Sequence, residues 1–255
     1  MSKKQGDYYG GHATDYLRYR PQYPESLFQQ LLDLTPHRDL AWDCGTGNGQ
    51  VAVRLTQDFK RVHASDLSDL QLAQAHEHPQ VHYHCSPADE SGLPDNSVSL
   101  ITVACAVHWF DQAAFYREAK RVLSPGGVLA VWTYAPDLVA PPAVAQVVDN
   151  LARNIVGVDW PEGLKWVNKK YRDLPFPFQE LSLQPIDFPV VWSLEDLLGW
   201  IGTWSAIRPY KERTGKDPLE GIKRDLLAVW PTSNGDPTTL QLPLYYRVGQ
   251  QTRGQ

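Results

Sequence analysis

The segment DCGTGNG at residues 43–49 follows the apolar run LAW at 40–42 and precedes a pattern of helical period. Its glycines, Gly45, Gly47 and Gly49, let the backbone turn sharply and approach a ligand where a Cβ atom would collide. Turns of this kind join the first strand of nucleotide-binding α/β folds to a helix whose N-terminus faces the ligand. The segment therefore predicts an α/β fold with a ligand at this turn.

Apolar, β-branched or aromatic runs alternate with helical patterns on both sides of the turn, which is typical of parallel βαβ units. Strands are predicted at 40–45, 62–66, 81–88, 98–106 and 128–134, and helices at 24–34, 49–59, 68–78 and 112–123. The sequence SPGG at 124–127 predicts a helix stop and a turn. Later strands are predicted at 181–192 and 240–249, with helices at 194–205 and 218–230. We predict a Rossmann-like doubly wound sheet of seven strands, mostly parallel with the last strand antiparallel, and a helical cap.

The composition indicates an ordinary globular protein and limits its partners. The chain has 255 residues, of which 42% are hydrophobic, and a formal net charge of -5. Nucleic-acid-binding proteins usually carry a basic patch, and no Lys/Arg run here exceeds Lys169-Lys170, so no nucleic-acid substrate is expected. Three cysteines, with no secretory signal and no long apolar segment, predict a cytoplasmic protein without a membrane partner. No acid pair has metal-ligand spacing near the predicted strand ends, so no metal site is expected.

The residues around the glycine turn favour a cationic ligand over a pyrophosphate. A dinucleotide fingerprint would place its third glycine at position 50 and no acid ahead of the turn, whereas this chain has Gln50 and Asp43. Asp43 would repel a pyrophosphate, but its charge favours the sulfonium and ammonium groups of S-adenosylmethionine. A nicotinamide-dependent oxidoreductase on a related fold is the alternative.

Acidic residues follow the second and third predicted strands, where a nucleoside would lie. Asp66 ends the second strand 23 residues after Asp43, so its carboxylate can accept from both ribose hydroxyls, with Leu67 beside it. Ala88 and Asp89 follow the third strand, and the Asp89 carboxylate can accept from the adenine amine. The alternatives are a helix cap for Asp66 and a solvated acidic loop for Asp89.

The fourth predicted strand runs into ACAVHWFD at 104–111, at the sheet edge where such folds bind ligands. Small Ala104 can back the methionine tail of the cofactor, while His108 and Trp109 can face the transferable methyl group. Aromatic faces also attract a sulfonium by cation–π interaction. His108 is the candidate catalytic residue, and a core aromatic pair is the alternative for His108 and Trp109.

Five segments match the motifs of one family. They are RPQYP at 20–24, the loop at 43–49, HWFD at 108–111, WTYA at 132–135 and TWSA at 203–206. With these segments the chain resembles class I S-adenosylmethionine-dependent methyltransferases, in the branch that includes the trans-aconitate methyltransferases. The family often has Gly-Cys-Gly in the loop, where this chain has Cys44-Gly45-Thr46-Gly47, which leaves both glycines in place.

The resemblance implies that the N-terminal segment folds over the cofactor. It places Tyr16 and Arg20 beside the cofactor, with Arg20 paired to the methionine carboxylate; a surface ion pair is the other interpretation of Arg20. The expected layout is one domain over 1–255, divided by role. It has a cofactor-covering segment at 1–35, a cofactor-binding core at 36–135, cap helices and a late strand around the substrate at 136–239, and a final strand at 240–251.

The expected reaction is methyl transfer to a small-molecule acceptor, with O-methylation of a carboxylate as the first hypothesis. A carboxylate is ionised at neutral pH and needs no general base, so His108 would orient it. No DPPY-like segment follows the fourth strand and no glutamate pair lies in 104–112, which argues against methylation of base amines and of arginine. The candidate acceptor contacts are Trp109, Trp132, Tyr134, Trp204 and Arg208. A non-catalytic sensor that binds the cofactor is the remaining alternative.

Overall fold

The computed structural model describes residues 18–252 and contains a seven-stranded sheet, a two-stranded sheet and the helices around them. The strands are β1 Leu40–Cys44, β2 Arg61–Asp66, β3 Val81–Cys85, β4 Val98–Ala104, β5 Leu123–Tyr134, β6 Gln179–Leu181, β7 Pro189–Trp192, β8 Thr238–Gln241 and β9 Leu244–Gln250. The α-helices are α1 Glu25–Leu34, α2 Gln50–Leu55, α3 Asp69–Leu72, α4 Gln112–Val122, α5 Pro142–Asn150, α6 Lys165–Asn168, α7 Leu194–Gly202, α8 Ile207–Thr214 and α9 Pro218–Val229. Short 3₁₀ turns lie at Val107–Trp109, Gly157–Asp159, Glu162–Leu164 and Ser233–Gly235, and a π-helical turn at Leu151–Ile155.

The large sheet has the strand order β3-β2-β1-β4-β5-β9-β6. β1 to β5 pair in parallel, and β9 runs antiparallel between β5 and β6. The prediction of a Rossmann-like sheet of seven strands, mostly parallel with an antiparallel last strand, is confirmed. The chain proceeds from β1 to β2 on one side and returns to β4 on the other. The carboxyl ends of β1 and β4 therefore flank a switch point, where α/β sheets bind their ligands.

Both faces of the central strands of this sheet are buried. On one face α1 packs Leu27 and Phe28 against the sheet, and the Phe28 ring meets Trp132 of β5 edge-on at 6.4 Å. On the other face α4 packs Phe115 against Trp42 of β1, with ring centroids 6.2 Å apart. Strands buried on both faces have nearly continuous apolar sequences, and for this reason the sequence predicts β1, β4 and β5.

The two late predicted strands are each divided between the two sheets, which corrects their bounds. The predicted strand 181–192 becomes β6 in the large sheet and β7 in the small sheet, and 240–249 becomes β8 in the small sheet and β9 in the large one. Pro185 lies between β6 and β7, and Pro243 lies between β8 and β9. Proline has no N–H for the strand ladder, so a strand stops or changes its partner there.

The first half also differs in detail from the predicted bounds. The predicted helices 49–59 and 68–78 shorten to α2 and α3. The segment 124–127 is a bulge inside β5 instead of a turn before it. Leu123 pairs with Val98 and Val128 with Leu100, so four residues of β5 face one residue of β4. Gly126, with φ +80°, provides the left-handed backbone that this bulge requires.

The cap packs around an aromatic core built from α5, α7, α8 and α9. Trp192, Trp200, Trp204 and Trp230 are all buried in this core together with Tyr134 at the end of β5. α7 starts with a capping box, in which Ser193 Oγ accepts from the Asp196 amide and Asp196 Oδ2 accepts from the Ser193 amide. Over residues 18–252 no helix combines the length and the apolar character needed to cross a bilayer.

Candidate functional site

The glycine turn lies at the carboxyl end of β1 and is tied to β2. The amides of Gly45 and Thr46 donate to Ser65 O at 2.8 and 3.0 Å. Gly49 has φ +83°, and a Cβ atom there would lie 2.0 Å from Tyr83 Oη, so only glycine fits. Gly47 has φ +56°, but a Cβ there would meet no described atom closer than Gln71 Oε1 at 3.9 Å. The turn is therefore closely packed at Gly49 and open at Gly47.

Asp43 lies beneath the turn as a buried carboxylate. It is 1% exposed, and it accepts from the Thr46 hydroxyl at 2.5 Å and from the Thr102 hydroxyl at 2.7 Å. Burial raises the pKa of Asp43 to about 6; the two hydroxyls oppose this rise, and the negative charge of Asp66 adds to it. At neutral pH the site therefore holds a poorly solvated negative charge, which a cationic ligand would stabilise.

Asp66 ends β2 beside the turn. Its Oδ2 accepts from the Gly47 amide at 2.8 Å and its Oδ1 from the Ser68 amide at 2.9 Å. Burial raises its pKa, and the backbone amides oppose that rise. Leu67, the next residue, is a large apolar side chain that is 42% exposed. The pair presents a carboxylate and an apolar surface side by side.

Asp89 completes the set of acids predicted at the strand ends. It is exposed, and Ala88 beside it packs against the core of the α4 face. Burial raises the pKa of the Cys44 thiol at the end of β1, and the charges of Asp43, Asp66 and Asp89 raise it further. The charges of all three carboxylates therefore reach the Cys44 thiol at one edge of the sheet, as their positions at or after the ends of successive parallel strands predict.

A pocket lies between the end of β5 and the cap, and we refer to it as the cap pocket. Its lining residues are Arg20, Cys105, His108, Thr133, Tyr134, Ala135, Pro136, Trp160, Leu164, Val167, Trp200, Trp204 and Ser205. The segment that follows β4 separates this pocket from the glycine turn. A Cβ atom on Gly45 would lie 2.6 Å from Ala106 Cβ, while Cys105 and His108 line the pocket. Ligands in the two places would thus be neighbours.

His108 is a buried, uncharged member of the cap pocket. Its Nδ1 lies 2.8 Å from the hydroxyl of the fully buried Tyr171, and burial lowers the pKa of His108 to about 3. A neutral imidazole offers one N–H donor and one acceptor. Tyr171 is a site residue that the sequence analysis missed. It lies on no predicted strand or helix. It is 63 positions from His108 in the sequence, and only the folded chain brings the two residues together.

Arg20 lies in the wall of the cap pocket. Its Nη1 donates to Tyr134 Oη at 2.8 Å and its Nη2 to Thr203 O at 3.1 Å. The resemblance implies that Arg20 lies beside the cofactor, whereas the structure puts its guanidinium among the predicted acceptor contacts Tyr134 and Trp204. Tyr16, the other N-terminal candidate, lies outside the described residues.

Three predicted acceptor contacts do not line the cap pocket. Trp132 is fully buried on the α1 face of the sheet, because its position in β5 alternates with that of Thr133 and points it away from the cap. Arg208 is exposed on α8 and donates to Glu212 at 2.8 Å, one helical turn away. Trp109 packs instead under Gly163, where a Cβ atom added to Gly163 would lie 3.3 Å from the Trp109 ring.

Ala104, at the end of β4, is half-buried and pairs with Trp132 of β5.

Known proteins are similar to this chain in sequence. A family model described as a methyltransferase domain matches residues 42–131, which run from β1 through the glycine turn to β5. A protein of Dictyostelium discoideum named as a methyltransferase is 34% identical over 248 residues, covering 95% of this chain and 94% of that protein.

Solved structures show the same similarity. One from Anaeromyxobacter dehalogenans, described as a type II methyltransferase, is 41% identical, has a TM-score of 0.85, and covers 92% of this chain and 100% of its own. A methyltransferase structure from Anabaena variabilis, with a TM-score of 0.56 at 16% identity, covers 89% of this chain and 98% of its own and shares the fold alone. The full-length similarity to the Dictyostelium discoideum protein, together with the matching domain model, shows that the chain belongs to the methyltransferase family.

Proposed function

We propose that the chain transfers the methyl group of S-adenosylmethionine to a small molecule and that the acceptor atom is a carboxylate oxygen. One observation carries the proposal. A turn flanked by two carboxylates, the buried Asp43 and the half-buried Asp66, adjoins a pocket with an arginine and, among the described residues, no acid in its wall. A cation and an anion fit the two neighbouring places.

The residues at the glycine turn fit the cofactor. Asp66 has two amide donors on its oxygens, and a carboxylate has about four acceptor sites, so it can still accept from ribose hydroxyls. Exposed Leu67 offers a surface for the adenine ring, and the open space at Gly47 allows close approach of the ligand. The charge of Asp43 favours a sulfonium or an ammonium group.

The cap pocket fits an anionic acceptor better than an amine. Its charged lining residue is Arg20, and an ammonium acceptor would be repelled by that charge. The low pKa of His108 makes it a poor general base, which an alkylammonium would need in order to lose its proton. A carboxylate acceptor needs none, because it is already ionised at neutral pH.

In this proposal the protein aligns two reactants and excludes water. Bound S-adenosylmethionine supplies an electrophilic methyl carbon; as the new oxygen–carbon bond forms, the electrons of the sulfur–carbon bond stay on sulfur, leaving a neutral thioether and a methyl ester. Arg20 holds the carboxylate, and His108 orients it through its ring N–H. Tyr171 fixes the imidazole plane through its contact with Nδ1.

The specific resemblance to the trans-aconitate methyltransferase branch belongs to the same proposal. It is supported by the HWFD segment at 108–111, whose His108 lines the cap pocket.

Calorimetry with S-adenosylmethionine, followed by methyl transfer from labelled cofactor, tests the proposal. The acceptor panel contains carboxylic acids of increasing size, each beside its amide and its matched amine. We expect micromolar cofactor binding and labelled methyl ester from the acids alone. No binding at millimolar cofactor would refute the proposal, transfer to amines would refute its carboxylate part, and tight binding without transfer to any compound would identify a sensor.

A further inference from the structure

Trp200 lies on α7 and lines the cap pocket. Its side chain is 1% exposed, and no atom of residues 18–252 accepts a hydrogen bond from its Nε1–H. A buried donor without an acceptor is unfavourable, and such groups are rare in native proteins. In the wall of a pocket, a ligand oxygen can supply the acceptor that the protein does not.

Three other indoles among residues 18–252 donate to acceptors within the protein. Trp42 donates to Ser65 Oγ at 2.9 Å, Trp160 to Ala152 O at 2.8 Å, and Trp230 to Asp236 O at 2.9 Å. Trp132 also lacks an acceptor among the described residues, but it lies beneath α1 on the opposite face of the sheet. Trp200 therefore combines an unsatisfied donor with a position in the cap pocket.

The surroundings of Trp200 indicate which ligand would satisfy it. Arg20 brings positive charge, and the His108 ring offers an N–H to the pocket when the Tyr171 hydroxyl donates to Nδ1, whereas the described lining contains no aspartate or glutamate. The rings of Trp160 and Trp204, with centroids 5.6 Å apart, form an apolar wall of the same pocket. A pocket lined by both donors and flat rings matches an anionic oxygen attached to a flat apolar body.

We propose that Trp200 is a specificity-determining residue, whose Nε1–H donates to one carboxylate oxygen of an acceptor with a flat apolar body packed on Trp160 and Trp204. The other carboxylate oxygen then receives the methyl group. This inference rests on the proposed methyl transfer and narrows its acceptor to aryl or similarly flat acids.

The ring of Trp204 lies close enough to compete for this N–H. Trp204 packs edge-on to Trp200, with an interplanar angle of 87° and centroids 5.2 Å apart. An N–H directed at a ring is a weak interaction, and a hydrogen bond to an anionic oxygen is stronger, so an acid would displace it. The two states differ in the chemical shift of the indole proton.

The test uses the full-length protein with its tryptophans labelled with ¹⁵N, and phenylacetate as the probe. We expect a saturable downfield shift of the Trp200 indole proton, with Trp132 unmoved, and no such shift with phenylacetamide or phenethylamine. Trp200→Phe, which removes the N–H and keeps an aromatic ring, should weaken phenylacetate binding at least tenfold, as loss of a hydrogen bond to a charged group does.

Trp132→Phe is the matched control, since it removes an equally unsatisfied N–H outside the pocket and should leave phenylacetate binding unchanged. A Trp200 signal that does not move with phenylacetate, or moves no more than that of Trp132, would overturn the inference, even if Trp200→Phe failed to fold. Equal methyl transfer by wild type and Trp200→Phe would overturn it while the proposed function stood. Absent cofactor binding with an intact Trp200 shift would refute the proposed function and the methyl-acceptor role of the acid, while the hydrogen bond from Trp200 to a flat acid stood.

Discussion

At the scale of single residues, Asp66 both supports the glycine turn and offers acceptor oxygens to a ligand. Asp66→Asn keeps an oxygen for the Gly47 amide and loses the charge. We expect S-adenosylmethionine to bind at least tenfold more weakly, because hydrogen bonds to charged groups contribute about 1.5–3 kcal/mol. Calorimetry measures the affinity. Asp69→Asn, at the exposed start of α3, is the control. Unchanged affinity in Asp66→Asn would contradict the assigned role.

The contact between Tyr171 and His108 is a second residue-scale feature. Tyr171→Phe removes the hydroxyl that lies 2.8 Å from Nδ1 and leaves a buried ring nitrogen without this partner. Loss of one such hydrogen bond contributes about 1.4 kcal/mol, so kcat should fall about tenfold, with the KM for the cofactor unchanged. Steady-state kinetics with the acceptor found in the panel provide the measurement.

Tyr116→Phe is the control for this experiment. Tyr116 is also buried, and its hydroxyl has no hydrogen-bond partner among residues 18–252. The variant should therefore retain wild-type kcat. Equal losses in the two variants would show that Tyr171 acts through packing and does not position His108.

At the scale of elements, two glycines of the turn are required for different reasons. Gly49 is required by packing, and Gly47 is required by the approach of the ligand. Gly49→Ala combines an unfavourable left-handed backbone with a clash at Tyr83 Oη, which donates to His76 O. We expect about 3 kcal/mol less unfolding free energy. In Gly47→Ala the added Cβ lies in open space, so the free energy of unfolding should fall by only about 1 kcal/mol. Cofactor binding should nevertheless weaken, because the Cβ prevents the backbone from approaching the ligand closely.

Urea unfolding and calorimetry on both glycine variants check this division. The expectation fails if Gly47→Ala binds the cofactor as wild type does, or if the two variants lose equal stability.

The late strands show the limit of pattern-based prediction for whole elements. The apolar sequence on both sides of Pro243 predicts one strand, but β8 pairs with β7 while β9 pairs with β5 and β6. Hydrophobic periodicity reports that a segment is buried and extended. It does not report which partner the segment takes, because the partner depends on residues far away in the sequence.

At the scale of the whole molecule, two buried histidines make stability dependent on pH. Burial, with smaller contributions from His84 and His82, lowers the pKa of His63 from 6.5 to about 4, and burial lowers that of His108 to about 3. Below pH 6.5 these two histidines bind protons in the unfolded chain but stay neutral in the folded chain. The free energy of unfolding therefore falls as the pH falls from 6.5 toward 4. Asp43, with a folded-state pKa raised to about 6, takes up a proton on folding below that pH and offsets part of the loss.

His63→Phe tests this dependence. Between pH 7 and pH 5 the variant should lose about 2 kcal/mol less unfolding free energy than wild type, since one titrating group contributes about 1.4 kcal/mol per pH unit below its unfolded pKa. Urea unfolding at the two pH values measures the difference. His76→Gln, at an exposed position, is the control. A loss in His63→Phe equal to that of wild type would contradict the argument.

The sequence predicts the succession of β1 to β5 along the chain, the glycine turn and the acids that follow successive strands. These are local signals, because strands buried on both faces have apolar sequences and parallel strands bring their carboxyl ends to one edge. Tertiary structure alone decided that Arg20 meets Tyr134, that Tyr171 meets His108, and that Trp200 lines the cap pocket while Trp132 does not. Each of those contacts depends on the packing of segments far apart in the chain, and side-chain packing has no counterpart in local periodicity.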